Sequence, residues 1–67
     1  MVKQFKIGDL VKVAPSLIGT LDIDPEAIGG MLVIDEYMEP FGPINQYEVK
    51  NAEGDLFGLL ETSLLPL

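Results

Sequence analysis

The sequence predicts a small all-β domain of five strands. Short runs rich in Val, Ile and Tyr recur along the chain, separated by clusters of Gly, Pro, Asn and Asp, the punctuation of strands and turns. The chain has 67 residues, which allows one domain, 1–67, and a small one that buries little of its surface. Strands at such short spacing point to a compact barrel or sandwich.

The first strand is read over 5–13. Phe5 and Ile7 share one phase, Val11 and Val13 share another, and Lys6 and Lys12 lie opposite the valines. Gly8-Asp9 in its middle predicts a bulge or kink. Ala14-Pro15-Ser16 ends the strand, and residues 16–29 form the longest connection. Its clearest local signal is at 24–28, where Asp24 can cap, Pro25 suits the first helical position and Gly29 suits the residue after the end. That makes a single helical turn.

Residues 31–38 form the central strand, with Leu32 and Ile34 on one face and Met31, Val33 and Asp35 on the other. Apolar at its start on both faces, it is expected to be covered on both sides there. Residues 39–45 read as a loop because of Pro40 and Pro43. The next strand is read over 46–50, with Tyr47 and Val49 inward and Tyr37 packing on Tyr47 across the hairpin. Residues 51–55 make a tight turn with Gly54 at positive φ. A fourth strand covers 56–60, bulged at Gly58, then a 3₁₀ turn near 61–64 and a short edge strand at 65–67, where Pro66 is tolerated.

Composition removes several function classes. Cysteine and histidine are both absent, which excludes a disulfide framework, Cys/His zinc sites and a histidine base. The cysteine count agrees with a cytoplasmic setting. With 11 acidic and 4 basic residues the net charge is -7, and the basic residues are all lysines, three of them near the N-terminus. Phosphate-backbone binders neutralise phosphates with Lys and Arg, so direct nucleic-acid binding is not expected. No run reaches the length of a membrane span, and the segment after Met1 does not read as a signal peptide.

Apolar content points toward association. The chain is 48% hydrophobic before its 7 glycines are added, against ~45–50% in globular domains with glycine included. A small domain cannot bury all of this, and clustered surface apolar groups mark interfaces. A protein partner or a homo-oligomer is therefore expected.

Residues 5–13, a hydrophobic position followed by Gly8-Asp9 and alternating valines, resemble the opening strand of bacterial and organellar SH3-like barrels. Residues 58–65, a glycine, two apolar residues, a 3₁₀ turn and a last strand, resemble the closing motif of that fold. The resemblance spans nearly the whole chain on short motifs and implies a five-stranded SH3-like barrel. Signalling SH3 domains bind proline-rich peptides through an aromatic groove. Here there is no Trp, and no tyrosine cluster in the 16–29 connection. Barrels of the KOW type carry basic loops for RNA, which this acidic chain lacks. The pattern is more similar to small accessory barrels of photosynthetic electron-transfer complexes, or to short phage- and plasmid-encoded SH3-like proteins. The resemblance implies a docking or stabilising subunit in the cytoplasm of a bacterium or plastid, or of a phage-infected cell.

Candidate sites follow from exposure and charge. Phe41, held between Pro40 and Gly42 with Pro43 beyond, is either a contact anchor or a cap folded back on the end of the barrel. Asp22, Asp24 and Glu26 form an acidic segment that offers too few ligands for a calcium loop; no metal or cofactor is expected. Asp35, Glu36 and Glu39 read as surface charge, and Thr62 and Ser63 have no histidine to activate them. No enzyme activity is expected. The expected role is a protein-binding module or accessory subunit that meets a partner, one with a basic surface, through Phe41, Pro40, Pro43, Tyr37, Asp22, Asp24, Glu26 and Leu59. The alternative is an acidic nucleic-acid mimic that blocks a DNA- or RNA-binding enzyme.

Overall fold

A computed structural model describes residues 2–17 and 25–67. Its five strands are β1 (Leu10–Val13), β2 (Leu32–Phe41), β3 (Ile44–Lys50), β4 (Leu56–Leu60) and β5 (Leu64–Pro66). One helical turn, α1 (Pro25–Ile28), precedes β2, and 3₁₀ turns occupy Pro15–Leu17 and Glu61–Ser63. All strand pairs are antiparallel, in the spatial order β4-β3-β2-β1-β5.

The five strands were expected to close into a barrel; the sheet stays open. Among the described residues β4 pairs only with β3, and β5 only with β1. β1 has just four residues, too few to bend and pair further at its ends. The two edges are joined by the covalent 3₁₀ turn Glu61–Ser63 instead of a ladder.

β1 is short because 5–9 is not strand. Lys6–Asp9 make a turn in which the Asp9 N–H donates to the Lys6 carbonyl at 3.0 Å, and the Asp9 carboxylate accepts from the Lys6 N–H at 2.9 Å. Gly8 sits at φ 96° in the third position of that turn, where type II turns need glycine. Its N–H then reaches the Ile34 carbonyl at 2.8 Å. The expected kink at Gly8-Asp9 is thus a full turn, and it sends Phe5 into the core while leaving Ile7 exposed.

The core lies on one face of the sheet. Val11, Val13, Leu32, Ile34, Tyr47 and Val49 project into it, covered by Phe5 and Ile28. Tyr47 and Val49 point inward as their alternation predicts. The start of β2, expected to be covered on both sides, is covered on one: Met31 is 52% exposed and Val33 half-buried. α1 begins at Pro25 as read from the sequence. Gly29 is not among the glycines at positive φ; a Cβ there would stand 2.9 Å from the Pro25 carbonyl oxygen, so close approach accounts for it.

The largest revision concerns 39–45. The prolines do not open a loop; β2 runs to Phe41 and β3 starts at Ile44. Gly42 and Pro43 alone make the connection, with Gly42 at φ 60° in the first central position, which type II′ hairpins reserve for glycine. Two register shifts bend the hairpin, one between Ile34 and Glu36 and one between Met38 and Phe41. In the second, Glu39 and Pro40 face the single residue Asn45. Bulges leave a residue out of the ladder, so the missing proline N–H costs nothing there. Gly54 is at positive φ, as expected. Gly58 is not bulged, since β3 and β4 pair without a break from Gln46↔Leu60 to Lys50↔Leu56.

Candidate protein-contact surface

The bulges decide which side chains share a face. In the first, two β2 residues oppose one on β3, which moves Tyr37, not Glu36, onto the inner face with Ile34. Tyr37 lies opposite Tyr47, with ring centroids 6.1 Å apart, as expected from the sequence. The Lys3 ammonium stands 4.9 Å from the Tyr37 ring centroid, a cation–π distance. Met38, opposite Gln46, and Phe41, opposite Ile44, fall on the outer face.

Phe41 is 67% exposed at the hairpin tip. It does not fold back onto the end of the sheet. Pro40 and Pro43, both exposed, flank it. Met38 and the half-buried Ile44 and Leu60 share its outer face, and of these Met38 and Ile44 were not singled out from the sequence. The two-residue alternation on β3, read outward from Tyr47 and Val49, places Ile44 on this face; Met38 and Leu60 reach it only through pairing register.

Not all the expected contact residues meet here. Tyr37 is on the opposite face. Leu59 is a correction: it pairs with Tyr47 on the inner face and is only 4% exposed, so Leu60 and Leu56 are the outward leucines of β4. Glu26 is exposed on α1 beside the far end of β3, where Asn51 Nδ2 donates to the Ala27 carbonyl at 3.0 Å. At about 3.4 Å per residue, the length of β3 separates Glu26 from Phe41. Asp22 and Asp24 lie outside the described residues.

A partly buried polar cluster was not anticipated at all. The Glu61 carboxylate, on the 3₁₀ turn, accepts through Oε2 from the Gln4 N–H at 3.0 Å, from Asn45 Nδ2 at 3.1 Å and from the Tyr47 hydroxyl. Tyr47 Oη accepts from the Phe5 N–H at 3.3 Å, and Asn45 also donates to the Val2 carbonyl at 3.1 Å. The cluster clasps the N-terminal arm to the end of β3. Burial pushes the Tyr47 phenol up, and its bond to Glu61 adds to this. For Glu61, burial pulls upward, but the bonds from Tyr47, Gln4 and Asn45 and the nearby Lys3 outweigh it and hold the carboxyl below its ordinary value. Every donor here is engaged, and among the described residues no buried polar side-chain atom lacks a partner. The cluster positions chain.

Among the described residues no three acidic side chains gather as a metal site, and no helix is long and apolar enough to cross a membrane. A shallow groove of about 170 Å³ runs along Leu10, Met31, Val33 and Lys50. Comparison with family models, with curated proteins and with solved structures finds no match.

Proposed function

We propose that the chain is an SH3-like domain, cytoplasmic and non-catalytic, that serves as an accessory subunit by contacting another protein. The observation that carries this reading is Phe41, a large aromatic ring 67% exposed at the tip of a two-residue hairpin. Exposed aromatic anchors of this kind concentrate binding energy, and the tight hairpin limits the backbone part of the ordering cost at binding. Met38, Ile44 and Leu60 beside it extend the apolar surface. The strand order, with a 3₁₀ turn between β4 and β5, supports the SH3-like assignment. A net charge of -7 favours encounter with a basic partner surface.

The test is paired affinity capture from the source cells with the native chain and with Phe41→Ala, followed by mass spectrometry. A specific partner that the native chain retains and the variant loses is the expected result. The same partners at the same yield on both would remove the hairpin tip as the contact site.

A further inference from the structure

We propose that the free edge of β4 accepts an extended segment of a partner protein as a sixth strand, one that places a Lys or Arg side chain opposite Gly58. β4 ends the sheet order, and among the described residues no loop or turn backbone bonds to it from its open side. Sheet edges are usually blunted by charge, proline, a bulge or very short length. The other edge, β5, has three residues and ends in Pro66. β4 has none of these devices: Leu56-Phe57-Gly58-Leu59-Leu60 is uncharged, free of proline and paired without a bulge.

The register states what the added strand carries. Leu56, Gly58 and Leu60 face outward, and Gly58 lies beside Glu48, which lies beside Glu36. Two carboxylates directly opposite one another repel. Because Gly58 has no side chain, a long cationic side chain opposite it crosses β4 toward Glu48. In the free chain the Met38 thioether covers this gap, since a Cβ at 58 would lie 3.0 Å from its Sδ; unbranched Met adapts readily. Residues two positions either side of the cation face Leu56 and Leu60 and are apolar. Main-chain bonds supply affinity in this mode, and alternate side chains supply selectivity.

The probe is the peptide acetyl-Thr-Val-Thr-Arg-Thr-Val-Thr-amide, titrated into the full chain and read by backbone amide NMR. Saturable shifts in the amides of β4, lost when alternate peptide nitrogens are methylated, are expected. Replacing the peptide Arg with Glu weakens binding by about threefold to tenfold, and Glu48→Lys reverses that preference. The reversal is a gain of binding, so a misfolded variant cannot imitate it. Phe41→Ala leaves all of this unchanged, which separates this edge from the hairpin tip. Absence of β4 shifts, indifference to methylation, or equal binding of the Arg and Glu peptides overturns the proposal. So does concentration-dependent protection of β4 without peptide, which makes the occupant a second copy of the chain.

Discussion

Tyr47 and Glu61 are joined by a hydrogen bond from the phenol to the carboxylate, across the junction between the sheet and its last connecting turn. Tyr47 contributes a fully buried ring to the core and, at its tip, a donor to the carboxylate that also receives the Gln4 N–H. One residue thus ties hydrophobic packing to the position of the N-terminal arm. Tyr47→Phe keeps the ring and removes the hydroxyl, leaving Glu61 with one donor fewer and the Phe5 N–H without its acceptor. A loss of about 1–3 kcal/mol is expected, typical of a bond to a charged group, measured by urea denaturation with an unchanged m-value. A variant as stable as the parent would show that the bond contributes nothing.

Glu61 also gives stability a pH dependence of known sign. Its folded-state carboxyl titrates below the ordinary 4.5. The contribution is therefore complete above that pH and is lost as pH falls through the lower folded value. Glu61→Gln has no such group. The stability gap between the native chain and Glu61→Gln should hold steady above the ordinary 4.5 and narrow as pH falls below it. A gap that stays constant would mean that Glu61 titrates alike in the folded and unfolded chain.

The turn at Lys6–Asp9 isolates a backbone effect. Gly8 is at φ 96° with nothing within 4 Å of where a Cβ would stand. Gly8→Ala meets no clash, so its cost is conformational, about 1 kcal/mol or somewhat more. Gly30 has equal space and no positive φ; Gly30→Ala is expected within about 0.5 kcal/mol of the parent. Thermal denaturation of the pair checks this, and equal losses at both sites would contradict it.

Leu59 and Phe41 form a second contrasting pair. Leu59→Ala empties a core position and should cost about 2–5 kcal/mol. Phe41→Ala removes a larger side chain but an exposed one, and should change stability by less than about 0.5 kcal/mol. If Phe41→Ala proves as damaging as Leu59→Ala, the hairpin tip is packed in solution and is not a contact surface.

Much of the architecture could be read from local chemistry. The strands around Val11, Ile34, Val49 and Leu59, the turn at Gly54 and the helical turn at Pro25 all follow from side-chain type and turn preference over a few residues. Of the proposed contact surface, Phe41, Pro40 and Pro43 were legible in the sequence. Met38 and Leu60 join it through pairing register, which no short window contains. Leu59, expected outside, faces inward for that reason, since a one-residue difference in register reverses the face.

By itself the sequence determined an acidic β protein without cysteine or histidine, its strands punctuated by glycine and proline. Strand propensity and turn geometry act locally, so residue type was enough. Only the tertiary structure decided three things. The prolines at 40 and 43 tighten a hairpin instead of opening a loop, because bulges at Asp35-Glu36 and Glu39-Pro40 absorb what the ladder cannot accommodate. The sheet stays open, because β1 is too short to carry it round. Glu61 meets Gln4, 57 residues away, because folding brings together groups whose pairing depends on distance in space and not along the chain.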